Sequence, residues 1–326
     1  MNETKNSRSR FLLSLAPMAG YTDTAFRVLC QYYGADETVT EMVSARALYH
    51  GDQKSLRLMQ TDPAETGVTV QIFGSEPEIL ADVVKTVLND RTDFSCIDIN
   101  MGCPVPKIVK NGEGAALLRD PDAAARLAEA VVRVSRKPVS VKIRTGWDHH
   151  TKNYVEVGKK LEAAGVSRIT LHGRTRSQFY TGLADWDAIG ELADALRIPV
   201  IGNGDITDGE TALRRINETK IQGLAIGRGA VGKPWLFSDI KKALQGEPAE
   251  HMPPEKQIAV ALRHLQRCVE NKGEALAVLQ MRKQLLSYVK GWHGASALKQ
   301  AILAETDVAG IKRVFARYLQ AEADRE

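Results

Sequence analysis

Eight short apolar runs recur along this chain, separated by stretches whose apolar residues fall at i, i+3, i+4 and i+7, the helical period. Strands that alternate with helices form a parallel sheet covered by helices. Eight such units over roughly 230 residues predict an α/β fold, the (β/α)8 TIM barrel, for which about 250 residues is typical. A doubly wound open sheet is the alternative. The runs are 11–18, 37–43, 67–74, 94–102, 138–146, 167–175, 198–206 and 221–229.

The pattern changes after about residue 245. The segment 245–256 contains three prolines and a glycine, which is typical of a linker. Every longer segment beyond it is helical by period. We therefore expect a catalytic barrel over residues 1–245 and a C-terminal all-helical domain over residues 246–326.

The charge of the chain is nearly balanced, with a net charge of +4. This value permits a nucleic-acid partner but does not require one. In the C-terminal part, basic residues cluster in 281–294 and 311–319. The clusters indicate either solvated helix faces or a surface that meets phosphates.

Four cysteines without a CxxC pair favour a reduced, cytoplasmic protein. No stretch approaches the ~20 apolar residues that cross a bilayer, so we predict no membrane association. We also predict no metal site, because His149 and His150 are adjacent and their side chains diverge. Cys96 lies inside a run and is expected to pack as a small apolar residue. Cys103 follows the end of that run and is a candidate for chemistry.

Polar groups collect where the predicted strands end, which is where barrel enzymes place their catalytic groups. Lys142 and Arg144 are two residues apart in the fifth run, so both project to one face. His172 and Arg174 do the same in the sixth run. The other run ends supply Pro17, Met18, Ala19, Gln71, Asn100, Cys103, Asn203, Gly204, Asp205, Gly227 and Arg228.

The last two runs end in glycine-rich loops, and many barrels bind a phosphate with those loops. Arg228 adds positive charge there. Gln71, Lys142 and His172 offer an amide, a cation and an imidazole, which suit the hydrogen-bonding edge of a flavin ring. The set therefore favours FMN. Pyridoxal phosphate, with Lys142 as the Schiff-base lysine, fits less well.

Taken together, these motifs resemble the bacterial tRNA-dihydrouridine synthases, most closely the B-type branch. The resemblance runs through the whole predicted barrel and into the C-terminal helices. It is carried by "APMAGYTDTAFR", "EMVSA", "VQIFGSEPE", "IDINMGCPVPKIVKNGEGAALL", "VSVKIRTGW", "ITLHGRTRSQFYTGLADW", "PVIGNGDI" and "LAIGRGAVGKPWLF".

The resemblance implies reduction of the C5=C6 bond of a uracil in tRNA, by FMN that NADPH or NADH has recharged. It implies that the barrel, residues 1–245, binds FMN and that the helical domain, residues 246–326, binds tRNA. It implies that Cys103 is the catalytic acid and that Asn100 helps to hold a uracil flipped out of its stack. Arg144, Arg174 and Arg176 become candidates for substrate or phosphate contacts. The residues expected to contact FMN are Pro17, Met18, Ala19, Gln71, Lys142, His172, Asn203, Gly204, Asp205, Gly227 and Arg228.

Two alternatives are open at this stage. One is an FMN-dependent reductase of small pyrimidines, similar to dihydroorotate or dihydropyrimidine dehydrogenases; the basic helical part argues against it. The other is an RNA-binding protein that uses the barrel only as a scaffold; the polar group at nearly every strand end argues against it. No obligate protein partner is inferred.

Overall fold

The computed structural model describes residues 11–325. Residues 1–10 and Glu326, which the predicted division assigns to the barrel and to the helical domain, lie outside the described residues. The strands are β1 (Leu12–Leu15), β2 (Glu37–Val39), β3 (Val43–Ser44), β4 (Val68–Phe73), β5 (Cys96–Met101), β6 (Val139–Arg144), β7 (Arg168–His172), β8 (Val200–Asn203) and β9 (Gly223–Ile226).

All strand pairs are parallel, and the sheet closes on itself. β2 pairs with both β1 and β4, while β1 pairs with β9, so eight strands form a ring. β3 is a two-residue extension beside β4. The predicted TIM barrel is therefore confirmed.

The second predicted run, 37–43, is interrupted where β2 ends and β3 has not begun. The backbone N–H of Gln71 donates to the Thr40 side-chain oxygen at 3.0 Å instead of to a carbonyl of the neighbouring strand. The Thr40 hydroxyl donates in turn to the carbonyl of Glu41. A side-chain oxygen thus replaces a backbone carbonyl in the hydrogen bonding between the two strands. This explains why one apolar run gives two short strands.

Helices separate most strands, and four more complete the C-terminal part. The segment predicted as a helix after β4 changes from α-helix to π-helix at Val84–Leu88. Short 3₁₀ segments lie at Gly114–Arg119 and Arg228–Ala230. The helices are α1 (Thr24–Tyr32), α2 (Ala45–Tyr49), α3 (Gln53–Leu58), α4 (Pro77–Val83), α5 (Pro106–Lys110), α6 (Pro121–Val134), α7 (Tyr154–Ala163), α8 (Trp186–Ala195), α9 (Gly209–Glu218), α10 (Leu236–Gln245), α11 (Pro254–Lys272), α12 (Glu274–Tyr288), α13 (Ala295–Ala304) and α14 (Val308–Ala323).

The barrel strands bury two different faces. One set of alternating residues is apolar and packs against the surrounding helices; Val70, Ile97, Val141 and Ile169 belong to it. The other set points into the barrel and is largely polar. Cross-strand partners share a face, so the register places Gln71, Asp98, Ser140 and Arg168 side by side in that interior.

The C-terminal helices have their own apolar cluster, which also takes in residues of the barrel segment. Ile258, Leu265, Met281 and Phe315 lie in it, together with Leu29 of α1. The two parts are therefore in direct contact. None of the helices within residues 11–325 combines the length and the apolar composition that a bilayer crossing requires.

Asp208 caps the N-terminus of α9, where its carboxylate accepts a hydrogen bond from Thr211 N at 2.6 Å. We expect Asp208→Ala to lower the free energy of unfolding by about 1 kcal/mol, measured by urea titration. Asp208→Asn keeps an acceptor and should stay within a few tenths of a kcal/mol of the wild type. A loss as large as that of the alanine variant would contradict the capping role.

The same cap gives a pH dependence. Burial raises the pKa of Asp208, but hydrogen bonds from Thr211 outweigh it and the net pKa is lowered. A carboxyl whose pKa is lower in the folded state stabilises above its unfolded pKa of about 4, and this contribution is lost as the pH falls through the folded value. The stability difference between wild type and Asp208→Ala should therefore shrink below about pH 4.

Candidate active site

A cavity of about 690 Å³ opens at the carboxyl ends of the barrel strands. Fourteen of the sixteen residues predicted from sequence line it, although they come from seven of the nine strands or the loops that follow them. Arg174 and Arg176 are the two that do not. The lining members are Pro17, Met18, Ala19, Gln71, Asn100, Cys103, Lys142, Arg144, His172, Asn203, Gly204, Asp205, Gly227 and Arg228.

Lys142 presents a charge to this cavity without a partner. Its ammonium forms no ion pair or hydrogen bond with any group between residues 11 and 325, although it projects from the middle of β6. Burial, followed by the positive charge of Arg144, lowers the pKa of Lys142 to about 8, while Asp98 raises it. A partly buried cation without a partner is costly unless a ligand compensates it. Lys142 is therefore suited to an anionic or electron-rich group in the cavity.

His172 is held as a neutral imidazole. Burial and then the charges of Lys142, Arg144, Arg174 and Arg228 lower the pKa of His172 far below its usual range. A guanidinium N–H of Arg174 lies 3.3 Å from Nε2 of the ring. Because a guanidinium can only donate, Nε2 accepts and Nδ1 carries the proton.

Arg174 itself is enclosed in the protein. Its guanidinium donates to the carbonyls of Thr181 and Gly182 and to both carboxylate oxygens of Asp205, at 2.8 and 2.7 Å. Arg228 also lies 3.4 Å from that carboxylate and remains half exposed at the cavity. Arg174 thus orders the loop over the site, whereas Arg228 is accessible to a ligand.

Arg176 is likewise turned away from the cavity. Its guanidinium stacks over the rings of Trp147 and Phe179, at 4.6 and 5.6 Å from their centroids. The residue lies in the loop between β7 and α8. Spacing along β7 placed Arg174 on the correct strand end, but it could not show which arginines fold back onto their own loop.

Asn100 holds the loop that carries the thiol. Its side-chain oxygen accepts from the backbone N–H of Gly102 at 3.1 Å and from that of Cys103 at 2.9 Å. The guanidinium of Arg144 donates to the carbonyl of Gly102 at 2.8 Å. Burial raises the pKa of the Cys103 thiol, against weaker lowering by the backbone N–H of Val105 and then by the charges of Arg144 and Lys142. The thiol is therefore protonated near neutral pH, which is the state a proton donor needs.

The loops after β8 and β9 leave backbone within reach of a ligand. Gly204 has a φ of +138°, which favours glycine, and lies against the His172 ring. A Cβ added at Gly227 would point toward Met18 and Ala16, which line the cavity, with 3.5 Å to the nearest atom. Glycine at 227 therefore keeps this part of the cavity wall open.

The sequence analysis did not single out several cavity residues, among them Tyr180, Ser287 and Lys290. Tyr180, half exposed, lies in an irregular loop with its ring 5.7 Å from the Arg144 guanidinium and 4.7 Å from that of Arg228. Ser287 and Lys290 come from the end of α12 and the turn after it. The basic cluster 281–294 was the only signal for Lys290, and no pattern linked it to a barrel more than 40 residues away.

A second polar cluster joins α1 to α11. Ligand-type atoms of Asp23, His264 and Cys268 lie within 4.8 Å of one another. The ammonium of Lys272 lies 2.5 Å from the Asp23 carboxylate and neutralises it, and His264 stacks on Phe26 with centroids 5.3 Å apart. The sequence did not reveal this cluster, because Asp23 is 241 residues from His264. Its ion pair and stacking fit a junction between helices.

Comparison with known proteins agrees with this architecture. The family model described as "Dihydrouridine synthase (Dus)" matches residues 14–322. A probable tRNA-dihydrouridine synthase of Rickettsia bellii is 38% identical over 316 residues, covering 96% of each chain. The tRNA-dihydrouridine synthase B of Pseudomonas aeruginosa is 39% identical over 312 residues, covering 93% of this chain and 92% of the relative.

A solved structure supports the fold alone. Histamine dehydrogenase from Rhizobium sp. 4-9 superposes with a TM-score of 0.54 at 12% identity. The match covers 83% of this chain and 48% of the dehydrogenase, so the chain spans about half the length of that protein.

Proposed function

This chain belongs to the dihydrouridine synthase family, and we propose that it reduces the C5=C6 bond of a uridine in tRNA with FMN as its cofactor and NADPH or NADH as reductant. The observation that carries the proposal is the Lys142 ammonium, which has no partner among residues 11–325, in a barrel-mouth cavity that also contains a protonated thiol. We propose that the protein acts in the cytoplasm, because its substrate is tRNA.

The residues present fit FMN. Lys142 would neutralise charge that develops on the reduced ring, and Gln71 and Asn203 offer amides beside it. Gly204, Gly227 and Arg228 would hold the phosphate, since all three line the cavity and Arg228 adds positive charge. Bound there, FMN would supply the hydride that adds to C6 of the uracil.

The protein groups would control the proton. Cys103 would donate its thiol proton to C5 as negative charge develops there, and burial favours the protonated thiol until that moment. Neutral His172 would act as a hydrogen-bond donor through Nδ1. Asn100 and Arg144 would keep the thiol loop in place through Gly102. The half-exposed ring of Tyr180 offers an aromatic surface for a uracil that has left its stack.

The first test of this proposal is the identity of the cofactor and substrate. Purified protein should be yellow and should release FMN on heat denaturation. Reduced protein should be oxidised by tRNA that lacks dihydrouridine much faster than by free uracil or orotate. Absence of flavin would contradict the proposal, and equal rates with free orotate would favour a reductase of small pyrimidines.

We also propose that the division predicted between residues 245 and 246 is functional, with the helical part positioning tRNA. Lys290 supports this, because it is exposed, belongs to a basic cluster of that part and lines the cavity of the barrel. An ammonium at this point is placed to meet a phosphate next to the flipped uridine.

Replacing this lysine gives a salt-dependent prediction. Lys290→Met should weaken tRNA binding several-fold and lower the slope of log K against log salt by about 1, measured by fluorescence titration. Flavin reduction by NADPH should keep its rate. Lys220→Met is the matched control, because Lys220 is exposed and precedes β9 at the opposite end of the barrel. An unchanged salt slope in Lys290→Met would contradict the phosphate contact.

A further inference from the structure

A continuous row of side-chain hydrogen bonds inside the barrel joins the buried carboxylate of Asp98 to the loop of Cys103. Gln71 Nε2 donates to Asp98 Oδ2 at 2.7 Å. Asn100 Nδ2 donates to Gln71 Oε1 at 2.9 Å. Asn100 Oδ1 then accepts the backbone N–H groups of Gly102 and Cys103. We call this row, Asp98–Gln71–Asn100–Cys103, the interior relay.

The direction of the interior relay is fixed at both ends. An ionised carboxylate only accepts, so Gln71 must turn its NH₂ group toward Asp98. A backbone N–H only donates, so Asn100 must turn its oxygen toward Gly102 and Cys103. The two amides then meet as donor and acceptor without conflict. Reversing either amide alone would bring two donors or two acceptors into contact.

Asp98 does not line the cavity, and its direct influence there is its charge, which raises the pKa of Lys142. Asp98 is buried, with 4% of its surface exposed. Ser140 donates to its second oxygen at 2.6 Å. Burial raises the pKa of Asp98, and the hydrogen bonds from Ser140 and Gln71 oppose that shift. A buried carboxylate must be matched by hydrogen-bond donors, and here the donors are Ser140 and Gln71, of which Gln71 belongs to the relay.

We propose that Asp98 is a positioning residue that fixes the place of the Cys103 thiol through Gln71 and Asn100. This inference rests on the proposed function for its catalytic meaning, but the geometry of the relay stands without it. It assigns Asn100 a role different from the one that the family resemblance implies. One hydrogen of Asn100 Nδ2 and its oxygen are engaged inside the protein, so the residue holds the thiol loop before any substrate arrives.

The direction of the relay can be reversed by two substitutions. In Asn100→Asp the new carboxylate still accepts from Gly102 and Cys103, but its other oxygen faces Gln71. Gln71 must then turn its NH₂ group to residue 100 and its oxygen to Asp98, where two acceptors meet. We expect turnover with tRNA to fall about tenfold or more, because a buried mismatch displaces the loop.

The double variant Asp98→Asn/Asn100→Asp should remove that mismatch. The asparagine at 98 donates to the reversed Gln71 and still accepts from Ser140, so every member of the row is satisfied again. We expect the double variant to recover most of the turnover lost in Asn100→Asp. Recovery by a second substitution at a residue outside the cavity is not expected from a merely structural role of Asp98.

A readout on the thiol itself separates this inference from the proposed function. The measured quantity is the pH-independent rate constant for alkylation of the Cys103 thiolate by iodoacetamide, taken from a full pH profile and followed by peptide mass spectrometry. We expect a change of several-fold in Asn100→Asp and return toward the wild-type constant in the double variant. Asn89→Asp is the control, because Asn89 is a buried asparagine near the other end of the barrel.

Each outcome decides one question. If the double variant is no closer to wild type than Asn100→Asp in alkylation or turnover, the relay does not position Cys103. If the wild type has no activity on tRNA but alkylation follows the predicted pattern, the proposed function fails and the relay stands. Should Asn100→Asp not fold, Gln71→Met removes both central hydrogen bonds, and an unchanged alkylation constant in that variant would overturn the inference.

Discussion

Cys103→Ala is expected to reduce dihydrouridine formation by about 10²- to 10⁴-fold, the range for loss of a general acid. The thiol lines the cavity and its raised pKa keeps it protonated, whereas alanine has no proton to give. Reduction of the bound flavin by NADPH should keep its rate, because that step requires no proton at C5 of a uracil. Stopped-flow measurement of the two half-reactions separates these effects.

Cys30→Ala is the matched control for the thiol. Cys30 is fully buried in α1, away from the cavity, so its loss changes packing and leaves the proton donor in place. Both half-reactions should stay near the wild-type rates in this variant. If tRNA oxidises the reduced Cys103→Ala variant at the wild-type rate, the thiol is not the proton donor. Another group in the cavity must then supply the proton.

Lys142→Met is expected to weaken FMN binding by about 10- to 10²-fold, the equivalent of one charge-assisted hydrogen bond. Methionine has a similar length and fills the same space, so the substitution removes mainly the charge. The reduction potential of any flavin that remains bound should fall, because the anionic reduced ring loses its cation. Equilibrium dialysis and a redox titration measure the two quantities.

Lys137→Met controls for the loss of a lysine near the same strand. Lys137 lies before β6, at the opposite end from Lys142, and its ammonium donates to the carbonyl of Asn89 at 3.0 Å. This variant should lose some stability but keep its FMN affinity. Equal FMN affinity in Lys142→Met and wild type would show that the unpaired ammonium is not part of the cofactor site.

The sequence was most informative about the strands and where they end. Short apolar runs located the strands, and a parallel barrel collects the carboxyl ends of all its strands at one face. This geometric rule explains why Gln71, Lys142 and His172 come together although they are far apart in sequence. The rule depends only on where a strand ends. It therefore brought residues that lie on strands or directly after them to one cavity.

The rule was less informative in loops. Arg174 and Arg176 lie beyond β7, where the chain folds back, and their guanidiniums bind Asp205 or stack on Trp147 and Phe179. A positive charge near a strand end can meet a ligand or order its own loop, and spacing does not distinguish the two. Lys290 was not assigned to the site because its position depends on how the helices pack against the barrel.

Asp98 shows a different limit of sequence reasoning. Alternation predicts that it points into the barrel with Asn100, since the two are two residues apart on β5. Its partners Gln71 and Ser140 belong to the neighbouring strands, and only the register reveals that they are adjacent. The interior relay therefore depends on strand pairing, which a single sequence does not specify.

The central claim is that this chain makes dihydrouridine in tRNA through the thiol of Cys103. The most direct measurement is mass-spectrometric mapping of dihydrouridine in tRNA from a strain that lacks this protein, complemented with the wild type or with Cys103→Ala. We predict that specific positions carry unmodified uridine in the deletion strain, regain dihydrouridine with the wild type, and stay unmodified with Cys103→Ala. An unchanged dihydrouridine map in the deletion strain, or full restoration by Cys103→Ala, would contradict the account.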